Sequence, residues 1–492
     1  MSNQSDTPLF FESSHSITAL RQGLIGSRAF VDGPFGRRRL IYADYTASGR
    51  ALAQVENWIR GEVLPYYANS HTEVSECGRR TNWLRRKARA VIAKSVDAGD
   101  ECSVIFCGSG ATAAVNRLGH LLGLDQGMRP ADVPRPVVLT GPYEHHSNIL
   151  PWRERGARTI EIAEAPEGGV DLEALEEALQ AHAAQATVVG AFSAASNVTG
   201  ILTDVAAVTR LLKAYGALAV WDYACAAPYT PMTMQPAPDA EIDALFFSPH
   251  KFPGGPGASG VLVVRNKAVK AQKPTWPGGG SVSYVSDWAH DYYNDLVLRE
   301  EAGTPNIVGD VRAAAVLSLR DQIGTGEIMR IGDGILKRAL DSWRKCDRII
   351  LLGHQTAPRL PIVSFLIRDA NGDIAHHRLV TRLLSDVYGI QAREGCSCAG
   401  PYGHRLLDVD HNLSETIRGH IRAGNVLEKP GWTRLNFCHL LDDQTADYII
   451  ASVAELSQTL DRWSPHYRAD PATANFHHIA DQDAAVDGRS VA

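Results

Sequence analysis

The middle of the chain alternates short apolar runs with amphipathic stretches. The runs Ser103–Phe106, Pro136–Thr140, Thr159–Ile162, Thr187–Phe192, Ala217–Trp221, Ala244–Phe247 and Gly260–Val264 are rich in β-branched residues and too short for helices. Each is expected to be a strand. Between them lie helical patterns such as Asp204 to Tyr215, where Val205, Val208, Leu212 and Tyr215 share one face and Gly216 stands where a left-handed cap would close the helix. Strand–helix alternation of this kind predicts an α/β fold around a mostly parallel sheet covered on both faces. In such sheets ligands bind beyond the carboxyl ends of the strands.

From about Val311 the helices lengthen, and a smaller α/β segment follows through Ile362–Ile367 and the helical stretch His377–Tyr388. Leu427 to Phe437 leads into a closing helix, Thr445–Trp463, where Ile449, Val453, Leu456 and Leu460 keep helical spacing. This predicts a large domain over 41–310 and a small one over 311–465. Past Pro465 the chain turns polar and rich in Ala and Asp, so residues 466–492 are expected to be a disordered tail.

Composition narrows the class. The 492 residues are 45% hydrophobic and 21% charged, with a net charge of -6, which points to neither a nucleic-acid nor a membrane surface. No run approaches the ~18 apolar residues of a membrane span, and MSNQSDTPLF lacks a secretory pattern. Eight scattered cysteines suit reduced thiols in a cytoplasm, and no spacing among them suggests a metal site. A cytoplasmic protein without a structural metal is expected.

Chemistry gathers at successive strand ends. In "CGSGATAAVN" (107–116), backbone N–H groups of Ala111 and Thr112 at a helix start could cradle a phosphate, although the segment is also an ordinary glycine turn. "GPYEHHSN" (141–148) offers an imidazole for stacking or proton transfer. "SAASNVTG" (193–200) places the amide of Asn197 past another strand, where a plain turn would serve as well. "AVWDYACA" (219–226) ends a buried strand with Asp222, a carboxylate that needs a partner to stay ionised. "FFSPHKF" (246–252) adds Ser248, His250 and Lys251, an amine whose burial opposes its charge. A reactive amine, an anion, a stacking ring and a phosphate cradle together match the demands of pyridoxal phosphate.

The chain resembles the class V, fold-type I pyridoxal-phosphate enzymes, most closely the cysteine desulfurase/selenocysteine lyase branch, from "YADYTASGRAL" (42–52) to "GWTRLNFCHLL" (431–441). That resemblance implies a large cofactor domain with a seven-stranded sheet, a small domain that includes the N-terminal segment 1–40, and a homodimer. It implies pyridoxal 5'-phosphate held through Lys251, with Asp222 at the ring nitrogen, Asn197 beside the ring oxygen and His145 stacked on the ring. Ala111, Thr112, Ser248 and His250 match phosphate contacts, and Thr304 in "EAGTPN" matches one given by the neighbouring subunit. Arg434 matches the arginine that grips the substrate carboxylate, a role suited to its fixed fork of donors.

For the reaction, "REGCSCAGP" (393–401) resembles the desulfurase loop and assigns Cys398 as the sulfur acceptor, with Cys396 two residues earlier. The implied substrate is cysteine or a related amino acid that loses sulfur or selenium through a cysteine persulfide, with a sulfur-acceptor protein as a further partner. Two features depart from the pattern. Cys225 stands where desulfurases usually carry a glutamine, and Tyr402-Gly403-His404 does not map onto the family loop. Aminotransferase, epimerase or C–S lyase chemistry therefore stays open, as does a non-catalytic scaffold of the same fold.

Overall fold

A computed structural model describes residues 10, 15–125, 127 and 134–480, and these form two compact units. The first holds residues 47–196 and 202–329 together with the N-terminal residues up to Leu24; the second holds 25–46, 197–201 and the chain from Arg330 onward.

In the first unit, seven strands form one sheet: β1 (Cys102–Cys107), β2 (Val137–Thr140), β3 (Arg158–Glu161), β4 (Val188–Ser193), β5 (Leu218–Asp222), β6 (Ala244–Phe247) and β7 (Gly260–Arg265). Their order is β1-β7-β6-β5-β4-β2-β3. β7 pairs antiparallel with both β1 and β6, and every other pairing in the sheet is parallel. The seven apolar runs foreseen as strands all lie in it, each end within one residue. The interior strands are buried along nearly their whole length, which is why they read as continuous apolar runs. The edge strand β3 is exposed at Arg158 and Glu161, and edge charges of this kind oppose strand addition. The helix foreseen from Asp204 spans Val205–Ala214, with the Asp204 side chain capping Ala207 N–H and Gly216 at φ 69°.

The units divide at Met329/Arg330, not at residue 310. Helix Ile307–Ile323 belongs to the first unit because its polar groups are tied there. Buried Asp310 pairs with Arg85 at 2.9 Å and accepts from Ser259 Oγ at 2.6 Å, and Arg312 pairs with Glu56. The N-terminal segment is likewise split. Helix Ile17–Gln22 clusters with the first unit, where Gln54 donates to Ala19 O at 2.7 Å, whereas residues 25–46 cluster with the second.

The second unit carries an antiparallel sheet of β8 (Ile349–Leu351), β9 (Ile362–Ile367), β10 (Arg393–Gly395) and β11 (Trp432–Asn436), in the order β8-β9-β11-β10. Helices His377–Tyr388 and Asp443–Trp463 belong to it, and Gly389 closes the former at φ 74°. The expected disordered tail is corrected over residues 467–478. Tyr467–Ala469 and Phe476–His478 pair as an antiparallel hairpin. Its strands are too short and too polar to stand out in the sequence. They are held by Phe35, whose ring lies 4.7 Å from Trp463 and 5.4 Å from His478, and by Tyr467 OH, which donates to Asp386 at 2.5 Å. Residues 481–492 of that expected tail lie outside the described residues. Among the described residues no helix is long and apolar enough to cross a membrane.

Candidate active site

The carboxyl ends of β1, β2, β5 and β6 bring most of the foreseen residues into the first unit. After β1 the chain turns at Gly110 (φ 60°) into helix Gly110–Leu121. Ala111 N–H donates to Ser248 Oγ at 2.9 Å, tying this helix start to the end of β6. A Cβ on Gly110 would lie 2.7 Å from Ser248 Oγ and 3.0 Å from His250 Cε1, so only glycine leaves this concavity open. Thr112 is exposed, and its hydroxyl meets Ser147 Oγ at 2.7 Å, joining the helix start to the loop after β2.

That loop holds His145, half-buried, whose Nδ1 accepts from Ser147 N–H at 3.0 Å. The bond leaves Nε2 as the protonated nitrogen of the neutral ring. Before it in the chain stands Glu144, which the sequence left without a role. Its carboxyl is buried and accepts from Ser193 N–H at 2.8 Å, Ser193 Oγ at 2.6 Å, Asn148 Nδ2 at 2.6 Å and Gly141 N–H at 3.2 Å. Burial pushes it up to about 7 against those hydrogen bonds from Ser193 and Asn148.

Asp222 closes β5 and is 5% exposed, with Ala224 N–H donating to it at 2.7 Å. Burial raises its pKa to about 6, opposed by the Ala224 hydrogen bond and by the charge of Lys251. Lys251 ends the single turn Pro249–Lys251 after β6 and is half-buried. Burial and then the Lys251 charge depress His250 to about 4, so its imidazole is neutral. A phosphate-bearing pyridinium fits this arrangement. The helix start at Gly110, where a Cβ would fill the space beside Ser248 and His250, would receive a phosphate, and a buried carboxylate with one backbone donor calls for a cation. Cys225, in the departure noted above, is buried with its thiol 3.6 Å from Ser196 O. Thr304 is exposed in the same unit, and its hydroxyl accepts from Asn69 Nδ2 at 3.3 Å.

The other foreseen residues belong to the second unit. Arg434 on β11 and Arg393 on β10 are register partners across the strands, a like-charged pair that would repel. Asp44 resolves it, binding Arg434 Nη2 at 2.8 Å through one oxygen and Arg393 Nη1 at 3.2 Å through the other. The sequence showed Asp44 only as part of "YADYTASG", without a role. Arg434 Nη1 also donates to Asn197 O at 2.8 Å, and its Nε is buried without a partner among the described residues. The Arg393 guanidinium is held above its ordinary value; burial opposes this, while Asp44, Glu394 and the Cys398 sulfur favour it.

After β10 the chain makes a tight turn. Ala399 N–H donates to Cys396 O at 3.0 Å, and the two central residues, Ser397 (φ 49°) and Cys398 (φ 56°), are both left-handed. Two left-handed central residues define a type I′ turn, where Asn and Gly are usual. Non-glycine residues held there cost about 1–3 kcal/mol each, and such outliers concentrate at functional sites. Cys398 is exposed, and Cys396 is intermediate. Asn197 Nδ2 donates to Ser397 O at 2.7 Å and leaves its own Oδ1 buried without a partner among the described residues.

Comparisons with known proteins agree with one another. The Aminotransferase class-V family matches residues 41–425. A protein of Streptomyces coelicolor named "Probable cysteine desulfurase" is 28% identical over 368 residues, covering 74% of this chain and 84% of the relative. One of the same name from Staphylococcus aureus is 27% identical over 402 residues, covering 81% and 91%. Among solved structures, a cysteine desulfurase from Thermococcus onnurineus superposes with a TM-score of 0.70 at 25% identity, over 85% of this chain and 95% of that one. The cysteine desulfurase CsdA of Escherichia coli shares the fold, with a TM-score of 0.70 at 20% identity, over 91% of this chain and all (100%) of that one.

Proposed function

The chain belongs to the aminotransferase class-V family, and from that premise we propose that it is a pyridoxal 5'-phosphate-dependent cysteine desulfurase, removing sulfur or selenium from cysteine or a related amino acid. The observation that carries the reading is Cys398, exposed on a left-handed turn whose neighbour Arg393 shares Asp44 with Arg434. Pyridoxal phosphate, when bound, supplies an electron sink at the substrate α-carbon. Lys251 would hold it by its amine and Asp222 by its carboxylate. Ala111, Thr112, Ser248 and His250 would hold the phosphate, and Asn197 the ring oxygen. His145 carries a proton at Nε2, on the nitrogen not occupied by Ser147 N–H, and is the residue suited to stack on the ring and to pass that proton. Arg434 and Arg393 orient the substrate carboxylate, with Asp44 limiting their combined charge. Cys398 Sγ takes the sulfur and holds it as a persulfide for an acceptor. The reading extends to a cytoplasmic homodimer in which Thr304 serves the neighbouring subunit's phosphate.

Cys225 favours a second reading, because a thiol in place of a glutamine removes a hydrogen-bond donor near the ring. Aminotransferase, epimerase or C–S lyase action would follow from it. Incubation with cysteine and a thiol reductant separates the two: a desulfurase yields alanine and sulfide in equal amounts. Pyruvate or another keto acid in their place would reject the proposal.

A further inference from the structure

Cys396 and Cys398 both line a cavity of about 310 Å³ within the second unit, beside β10 and the turn after it. That volume suits a small molecule, at the lower end of the ~300–1,000 Å³ of ligand sites. Arg378, Arg393 and Lys429 share the lining against a single carboxylate, Glu394; Arg393 is already paired with Asp44, so Arg378 and Lys429 supply the cavity's positive charge. His376 and His377 complete that wall, and burial depresses both, His377 to about 4, so neither carries charge at neutral pH. Arg378 donates to Thr473 O at 2.6 Å and Asn475 Oδ1 at 3.2 Å, both neutral acceptors, and has no carboxylate partner among the described residues. Lys429 is exposed. Ser397 Oγ, in the same lining, is buried without a partner among the described residues.

We propose that this cavity is the site of the sulfur acceptor, and that it takes a low-molecular-weight anionic thiol with a carboxylate near its sulfhydryl. The proposal rests on the desulfurase reading of Cys398. The acceptor's thiolate attacks the outer sulfur of the Cys398 persulfide. The S–S bond to Cys398 Sγ breaks, and its electron pair leaves Cys398 as a thiolate. A new S–S bond forms on the acceptor, which departs as a persulfide. Sulfur passes from one thiolate to another, so no external oxidant or reductant enters. The cations hold the carboxylate while the attacking sulfur faces Cys398.

The test uses the full-length, cofactor-loaded protein with cysteine and three acceptors: 3-mercaptopropionate, 2-mercaptoethanol and cysteamine. Rates are normalised to each thiol's thiolate fraction. The acceptor KM should be about tenfold lower for 3-mercaptopropionate than for cysteamine, as expected of a few part-exposed charges. Raising ionic strength should shrink that ratio, and Lys429→Glu should erase or reverse it. Equal KM values across the series, or saturation by a protein acceptor alone, would overturn the proposal. Alanine released by the wild-type protein in one turnover without acceptor reads the desulfurase assignment by itself. Its absence would overturn both.

Discussion

Asn197 and Ser397 lie 200 positions apart in sequence and are joined by a 2.7 Å hydrogen bond from the amide Nδ2 to the Ser397 carbonyl. The bond fixes the first left-handed residue of the turn that carries Cys398. One buried hydrogen bond of this type contributes about 0.5–1.5 kcal/mol. Asn197→Ala should therefore loosen the turn, and iodoacetamide should alkylate Cys398 about three- to tenfold faster. Exposed Cys77 provides the internal reference in peptide mapping. An unchanged ratio would mean that the turn is held by other contacts.

Cys398→Ser should lose sulfide release from cysteine, while Cys396→Ser should lose much less. Attack on the substrate sulfur needs an accessible sulfur, and Cys398 is exposed whereas Cys396 is partly buried. Mass spectrometry after incubation with cysteine should place the added sulfur on Cys398. Full activity in Cys398→Ser, with no cysteine gaining mass, would move the assignment to the transaminase or C–S lyase readings.

Two substitutions should separate anchoring of the cofactor from its phosphate contact. Lys251→Ala should abolish turnover and the visible absorbance band of the loaded protein while its circular dichroism stays unchanged. In Gly110→Ala, the φ of 60° and the Cβ contact of 2.7 Å with Ser248 Oγ should close the phosphate concavity. Affinity for pyridoxal phosphate should fall by about tenfold or more, from backbone strain near 1 kcal/mol plus the lost contact. Affinity for pyridoxal, which has no phosphate, should change far less. Equal losses for both ligands would show that the glycine serves the fold and not the phosphate.

Glu144 should give the cofactor-free protein a falling stability with pH. Its carboxyl is pushed up to about 7 by burial, from an ordinary 4.5, so the native state holds the proton more tightly than the unfolded chain. That stabilisation is complete below 4.5 and is lost as pH rises through about 7. Between about pH 5.5 and 8 the loss amounts to roughly 2 kcal/mol. Asp222, raised to about 6, adds to the same slope. Urea denaturation at the two pH values should show it, and Glu144→Gln should flatten it. Stability that rises over this interval would refute the assignment.

Much of the first unit could be read from the chain because buried parallel strands carry their own signature. β4 and β7 are buried along their whole length and apolar up to Ser193 and Arg265 at their ends, and Asp204 and Gly216 mark their helix by capping chemistry that any sequence displays. Lys251 and Asp222 stood out because charge at the end of such a strand is anomalous. Asp44 did not, since its importance comes from two arginines 349 and 390 residues away. Glu144 was overshadowed by the histidines beside it, and only its four donors disclose that it is buried. The left-handed turn at Ser397 and Cys398 was invisible for a related reason. Neither residue favours that conformation, so tertiary contacts impose it.

The hairpin at 467–478 also supplies Ala474 to the cavity beside Cys398, and its Thr473 carbonyl accepts from Arg378. A chain cut after Trp463 would keep every strand of both principal sheets and still lose Ala474 from that lining and the acceptors of Arg378. The proposed acceptor site thus draws part of its wall from a segment that belongs to neither principal sheet.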